Sequence, residues 1–118
     1  FVPVRTSADI DREIAAASAR GQAVMLDFYA DWCVSCIEME RFTFTDPTVR
    51  EKLASAVLLQ ADVTANTPDD RALLERFGLF GPPAIVFFNA QGQELGAQRV
   101  IGFQKPAPFL QSLSAAGL

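Results

Sequence analysis

The sequence contains no histidine and only two cysteines, Cys33 and Cys36. Structural zinc sites need four Cys, His or acidic ligands, so this shortage disfavours a structural zinc site. The chain also lacks a run of 18 apolar residues, which a helix would need to span a bilayer. There is no excess of basic residues either, and the net charge of −4 argues against nucleic acid and anionic membranes as partners.

Hydrophobic residues, in contrast, are abundant. They make up 50% of the 118 residues, and 10 of them are phenylalanine. A chain of this length and composition can bury a substantial core, so we expect a single domain over residues 1–118. The chain begins with Phe1 instead of Met and has no signal-peptide pattern. We therefore interpret it as a fragment of a longer protein.

The two cysteines stand three positions apart in the motif Cys33-Val34-Ser35-Cys36. They follow an apolar, strand-like run at residues 23–29, where a helix is expected to begin. One helical turn brings the two sulfurs within bonding reach, and the helix start favours a thiolate on the first cysteine. Cys33 is therefore the predicted nucleophile and the more exposed of the pair, and Cys36 is the predicted resolving thiol.

Two other interpretations of the cysteine pair have to be compared with this one. A purely structural disulfide across so short a loop would stabilise little, because closing a short loop removes little entropy from the unfolded chain. A metal site would need further ligands that the sequence is short of. A C-x-x-C that directly follows a strand and Trp32, inside a βα pattern, favours thiol–disulfide exchange over both alternatives.

Capping and turn residues divide the remaining chain into alternating strands and helices. Asp46-Pro47 and Thr67-Pro68 each place an N-cap residue before a proline at the first helical position, and residues 6–7 can cap an earlier helix. The predicted helices are 7–20, 33–42, 47–55, 68–77 and 106–115, and the predicted strands are 1–4, 23–29, 56–63, 84–89 and 98–101. This order predicts an α/β fold with a central mixed β-sheet and helices on both faces.

Asp27 interrupts the strand at residues 23–29, whose other side chains are apolar and alternate between its two faces. The predicted faces are Val24, Leu26 and Phe28 on one side and Met25 and Tyr29 on the other. An ionised, unpaired carboxylate is costly inside a buried strand, so we expect Asp27 to be protonated or functional. A hydrogen bond to a nearby backbone group or Ser hydroxyl is the purely structural alternative.

Glu40 is a second candidate acid, because it lies four residues beyond Cys36 and seven beyond Cys33 and would share their helical face. Together with Asp27 it should approach the cysteine pair from beneath. Nearby carboxylates oppose a thiolate by like charge, so we expect reduced Cys33 to ionise less readily than a helix start alone would allow.

Further along, Gly81-Pro82-Pro83 precedes a strand, where a cis X-Pro bond is tolerated.

The segment at residues 27–36, DFYADWCVSC, resembles the active-site segment of the thioredoxin superfamily. Its continuation at residues 38–47, EMERFTFTDP, is similar more narrowly to the C-terminal thioredoxin-like domains of the DsbD family of transmembrane thiol:disulfide interchange proteins. The likeness extends through residues 58–66 and Gly81-Pro82-Pro83 to Gly102-Phe103, and so covers essentially the whole chain. The redox motif by itself identifies only the superfamily.

This resemblance implies a thioredoxin-like fold and a disulfide reductase. Electrons would come from a membrane-embedded domain and pass to an N-terminal periplasmic domain of the same protein, at the periplasmic face of the bacterial inner membrane. The only redox group would be the Cys33–Cys36 disulfide, with no cofactor and no metal, in a monomer that does not itself insert into the membrane. A stand-alone thioredoxin-like reductase, a soluble metal carrier and a non-catalytic interaction module remain as alternatives.

The resemblance also implies roles for individual side chains. A buried acid at Asp27 would move protons during exchange, and Pro83 would follow a cis peptide bond and offer backbone groups to a docked partner beside Pro82. Trp32 would shape the docking surface. Ala84 stands where relatives often have Thr, so the side-chain contacts at that point are expected to differ.

Overall fold

A computed structural model describes residues 1–118. The strands are β1 (Val2–Pro3), β2 (Val24–Tyr29), β3 (Val57–Asp62), β4 (Ala84–Phe88) and β5 (Val100–Ile101). The helices are α1 (Ser7–Ala19), α2 (Val34–Glu38), α3 (Pro47–Leu53), α4 (Pro68–Arg76) and α5 (Pro106–Ala115). None of the helices combines the length and the apolar character needed to cross a bilayer.

The strands form one mixed sheet in the order β1-β3-β2-β4-β5. β3 runs parallel to both β1 and β2, whereas β4 is antiparallel to β2 and β5 is antiparallel to β4. The central position of β2 explains its apolar sequence, because a central strand is covered on both faces. β1 is an edge strand, where Pro3 is tolerated. The predicted mixed α/β sheet is confirmed.

Two clusters of buried side chains lie on opposite faces of this sheet. Helices α1 and α4 complete one cluster, and α3 and α5 complete the other. The first includes Val24, Leu26, Phe28, Ile10, Ile14 and Leu73, and the second includes Met25, Val49, Leu53, Phe109 and Leu113. Tyr29, the last residue of β2, packs beside the first cluster. Its hydroxyl donates to Asp31 Oδ1 (3.0 Å), which holds the ring at the end of the strand.

The predicted N-caps of α1, α3 and α4 are confirmed. Thr6 forms a capping box with Asp9, and Thr67 forms one with Asp70. Asp46 accepts hydrogen bonds from the backbone of the first turn of α3. These caps satisfy N–H groups that have no partner inside the helix.

The helix after the cysteines differs from the predicted α-helix at residues 33–42. It is α-helical only over α2 and continues as a π-helical segment, Met39–Thr43, in which Phe44 N donates to Met39 O (2.8 Å). Thr43 is fully buried and its hydroxyl donates to the carbonyl of Gln104 (2.5 Å). The wider π turn therefore coincides with a contact to a segment distant in sequence, which local spacing cannot reveal.

The predicted return strand at residues 98–101 is also shorter than expected. Only β5 pairs with β4, and a 3-10 turn, Gly96–Gln98, precedes it. Leu95 N donates to Phe87 O (2.8 Å), and Phe88 forms an isolated bridge with Glu94. The chain after β4 therefore pairs with β4 at two short places, near Glu94 and at β5, and the 3-10 turn lies between them.

Candidate redox site

The two cysteines lie where the central strand β2 passes into α2. Cys33 is the N-cap of α2, and Cys36 is in its first turn. Their sulfurs are joined in a disulfide with the Cα atoms 5.2 Å apart. The backbone N–H of Cys36 donates to Cys33 Sγ (3.2 Å). The predicted juxtaposition of the two sulfurs at a helix start is thus present.

Both cysteines are buried, which corrects the expectation of an exposed Cys33. Cys33 is 6% exposed and Cys36 is 4% exposed, because both pack into the cluster between the sheet, α1 and α4. The environments of the two sulfurs differ instead in their hydrogen-bonding groups. Cys36 Sγ lies 3.7 Å from the carbonyl oxygen of Phe28, whereas Cys33 Sγ faces the N–H of Cys36.

Asp27 is buried in β2, with 6% of its surface exposed. Its hydrogen-bond partner is Gln60, whose Nε2 donates to Asp27 Oδ2 (3.3 Å) from the neighbouring strand β3. Burial raises the pKa of Asp27 to about 7, the hydrogen bond from Gln60 opposes the rise, and the charge of Glu40 adds to it. A carboxyl group with this pKa can both accept and release a proton near neutral pH.

Glu40 is exposed and does not lie buried beneath the disulfide. The prediction assumed α-helical spacing from the cysteines, but the chain changes to π winding at Met39, one residue before Glu40. The charge of Glu40 nevertheless contributes to the raised pKa of Asp27, which brings the two acids into one electrostatic system.

A surface cleft of about 380 Å³ includes two of the three residues proposed for docking. It is lined by Trp32, Val63, Asn66, Leu74, Phe80, Gly81 and Pro82. Trp32 is 60% exposed, and the peptide bond between Pro82 and Pro83 is cis, as the resemblance implied. An accessible indole and a proline-containing loop on one cleft give a surface on which an extended chain could lie.

Sequence reasoning missed three residues near this site. Phe80 is fully exposed beside the cleft, and its position directly before Gly-Pro-Pro was a signal that could have identified it. Gln60 meets Asp27 only through the pairing of β2 with β3, so no local pattern marks it. Thr64 contacts the loop before Cys33 from 33 positions away and carried no sequence signal. No group of three or more His, Cys, Asp or Glu side chains is arranged to hold a metal ion.

Comparison with known proteins places this geometry in a family. A family model described as thioredoxin-like matches residues 5–90. The C-terminal domain of Neisseria meningitidis DsbD in its oxidised form is 36% identical, with a TM-score of 0.76 over 92% of this chain and 96% of that one. The chain belongs to the thioredoxin-like family and, within it, to the DsbD C-terminal domains. The reduced form of the same Neisseria domain superposes with a TM-score of 0.81, at 34% identity over 95% of this chain and 97% of that one.

Curated relatives carry the same family name. The thiol:disulfide interchange protein DsbD of Ralstonia nicotianae is 60% identical over 116 residues, which are 98% of this chain. The chain spans 19% of the length of that relative. A DsbD C-terminal domain is therefore a small part of each full-length relative.

Proposed function

We propose that this DsbD C-terminal domain is a protein-disulfide reductase that passes electrons from a transmembrane domain to a periplasmic partner domain of the same protein. The observation that carries the proposal is the disulfide between Cys33 and Cys36 at the start of α2, the helix that follows the strand bearing Asp27, a buried carboxyl group whose pKa is about 7. The high identity to relatives named thiol:disulfide interchange proteins supports the same conclusion.

Exchange would proceed in two steps, starting from the reduced domain. The Cys33 thiolate attacks a sulfur of the partner disulfide, which breaks, and one partner sulfur leaves as a thiolate while a mixed disulfide forms. Cys36 then loses its proton to the Asp27 carboxylate and attacks Cys33. The Cys33–Cys36 bond forms, the mixed disulfide breaks, and the second partner sulfur leaves as a thiolate. Two electrons have passed to the partner, and a dithiol of the membrane domain would restore the reduced pair.

The local hydrogen-bonding groups support this order of attack. A reduced Cys36 thiol can donate to the Phe28 carbonyl near its sulfur, whereas a thiolate at that position would be repelled by the carbonyl oxygen. The N–H of Cys36, in contrast, faces Cys33 Sγ and would stabilise a thiolate there. Cys33 is therefore proposed as the nucleophile and Cys36 as the resolving thiol.

Docking is proposed to use the cleft beside Trp32. The cis Pro83 would present neighbouring backbone groups to an extended partner segment, in the manner of an added strand, while Trp32, Pro82 and Phe80 would contact its side chains.

Because the curated relatives are about five times as long as this chain, we propose that the partner domains and the membrane anchor lie elsewhere in the same polypeptide, with this domain on the periplasmic side.

Insulin reduction is the direct test of the activity. The wild-type domain with dithiothreitol should precipitate the insulin B chain faster than dithiothreitol alone, and Cys33→Ser should lose the acceleration. A wild-type domain with no acceleration would contradict the reductase proposal. The alternative of a stand-alone reductase is tested by the sequence of the whole gene. Membrane-spanning helices encoded next to this domain would support electron transfer between domains of one protein.

A further inference from the structure

The loop before Cys33 is tied to the loop after β3 by two hydrogen bonds to one residue. The backbone N–H of Asp31 donates to Thr64 Oγ1 (2.9 Å), and the indole Nε1 of Trp32 donates to the carbonyl oxygen of Thr64 (3.1 Å). Asp31 and Trp32 directly precede Cys33, so Thr64 acts on the two residues that deliver the chain to the disulfide. Helices α2 and α3 and strand β3 separate the two loops in sequence.

Thr64 is itself oriented by Asp62. Its backbone N–H donates to Asp62 Oδ1 (2.9 Å), and its hydroxyl donates to the same oxygen. A hydroxyl has one proton, and because that proton is given to Asp62, a lone pair of Oγ1 is left for the N–H of Asp31. The three groups form a chain of hydrogen bonds in which each bond polarises the next.

The loop after β3, which contains Thr64, is held in one conformation by hydrogen bonds within the loop and to α4. Asn66 adopts a positive φ of 49°, which asparagine tolerates better than most residues. Its N–H donates to Val63 O (3.1 Å), and its carbonyl accepts from Arg71 Nη1 (2.6 Å) on α4. These bonds hold Thr64 in place independently of the loop before Cys33 (residues 30–32, the redox loop).

The other end of Asp31 is held from β2. The hydroxyl of Tyr29 donates to Asp31 Oδ1 (3.0 Å), so Asp31 is fixed through its side chain as well as its backbone. Trp32, Val63 and Asn66 all line the same cleft. In sequence, Thr64 stands between Val63 and Asn66, and its carbonyl accepts a hydrogen bond from Trp32, which belongs to the loop before Cys33. The hydrogen bond from Trp32 to the Thr64 carbonyl therefore joins the two loops on this side of the cleft.

We propose that Thr64 is a positioning residue for partner docking: through its bonds to Asp31 and Trp32 it holds the cleft wall beside Cys33 in the form that receives a partner chain. The inference rests on the proposed reductase function, because it assigns Thr64 to the binding of the protein substrate. Thr64 touches neither sulfur, so the chemistry of the disulfide should be insensitive to it.

The test compares Thr64→Val, which removes the hydroxyl at nearly constant shape, with Thr64→Ser, which keeps it. Thr48→Val is the matched control, because Thr48 is exposed on α3 and its hydroxyl makes no hydrogen bond. Trp32 is the only tryptophan, so its fluorescence reports the redox loop directly. The second readout is the Michaelis constant for insulin, and the third is the alkylation rate of the reduced protein with iodoacetamide.

Thr64→Val keeps the carbonyl that accepts from Trp32 but removes the hydroxyl that accepts from Asp31 and donates to Asp62. The loop that carries Trp32 should therefore loosen, and the Trp32 emission should shift to longer wavelength with lower anisotropy. The substitution should raise KM for insulin about two- to ten-fold, the range for one lost hydrogen bond, with kcat and alkylation rate changed less than about two-fold. Thr64→Ser should restore both emission and KM. Asp62→Ala should resemble Thr64→Val, and the double variant should add little, because the two residues act in one chain.

The proposal is overturned if Thr64→Val matches Thr48→Val in emission and KM, or if the serine variant fails to restore them. It is also overturned if kcat falls while KM is unchanged, since Thr64 would then act on the chemistry. Should wild type itself lack reductase activity, the proposed function fails, while the Trp32 emission of the same variants still decides whether Thr64 positions the loop.

Discussion

At the scale of single residues, the chemistry of the site depends on a few side chains. Their burial and their hydrogen-bond partners cannot be deduced from their spacing in the sequence. The buried acid at Asp27 was predictable, because a carboxylate within an apolar strand is conspicuous. Its partner Gln60 was not, because the pairing of β2 with β3 brings the two together. Glu40 was placed by α-helical spacing, and the π turn at Met39 altered its position.

The order of attack by the two cysteines leads to a trapping experiment. Cys36→Ser should leave Cys33 able to attack but unable to be released, so mixed disulfides with partner proteins should accumulate. Cys33→Ser should trap none, because the Phe28 carbonyl oxygen beside Cys36 Sγ disfavours a thiolate on Cys36. Non-reducing gels of the oxidised partner incubated with each reduced variant give the measurement. Equal trapping by the two variants would contradict the assigned roles.

The two acids should slow the thiol chemistry of Cys33 in the free domain. Removing charge with Asp27→Asn or Glu40→Gln should therefore speed iodoacetamide alkylation of the reduced protein at neutral pH, by a few-fold. The effect of Glu40→Gln should be the smaller, because Glu40 is exposed and solvent screens its charge. Glu51→Gln, an exposed change on α3, is the control. Alkylation rates that neither substitution changes would refute this role.

At the scale of elements, sequence was most informative at helix starts. Asp46-Pro47 and Thr67-Pro68 predicted α3 and α4 correctly, because a cap uses hydrogen bonds between residues that are neighbours in sequence. The π segment and the 3-10 turn before β5 were missed, because contacts such as Thr43 to Gln104 join residues far apart in the chain. Local patterns therefore predict where an element begins better than how it ends.

The cap of α3 is a test at this scale. Asp46 Oδ1 accepts from the N–H groups of Thr48 (2.9 Å) and Val49 (3.1 Å). Asp46→Ala should lower the free energy of unfolding by about 1 kcal/mol, since two backbone donors lose their partner. Urea denaturation of the oxidised domain measures the change. Glu51→Ala on the exposed side of the same helix should change stability much less, and an equal loss in both variants would show that the cap is not the cause.

At the scale of the whole molecule, the sheet with helices on both faces followed from apolar periodicity, because each helix must bury one stripe against β2 and its neighbours. The cleft beside Trp32 did not follow, because its residues come from four separate segments of the chain. The same central position that buries β2 on both faces also buries the carboxyl group of Asp27, so function is expected to reduce stability there.

The stability of the domain should therefore depend on pH through Asp27. Burial raises its pKa from 3.8 to about 7 in the folded state, so the folded protein binds the proton more tightly than the unfolded chain. Because the unfolded chain releases this proton first, stability falls as the pH rises from about 4 to about 7 and then levels off. Full ionisation corresponds to a loss of about 4 kcal/mol, which is an upper value.

Asp27→Asn should remove this dependence, because an amide has no proton to lose and can still bond to Gln60. The variant should differ little from wild type near pH 4 and be more stable at pH 8, by up to about 4 kcal/mol. Urea denaturation of the disulfide-bonded proteins across this range measures the difference. Asp69→Asn is the control, because Asp69 is exposed on α4 and its carboxylate makes no hydrogen bond. If the difference between Asp27→Asn and wild type stays constant from pH 4 to pH 8, Asp27 does not titrate in the folded domain, and the proton transfer proposed for it is wrong.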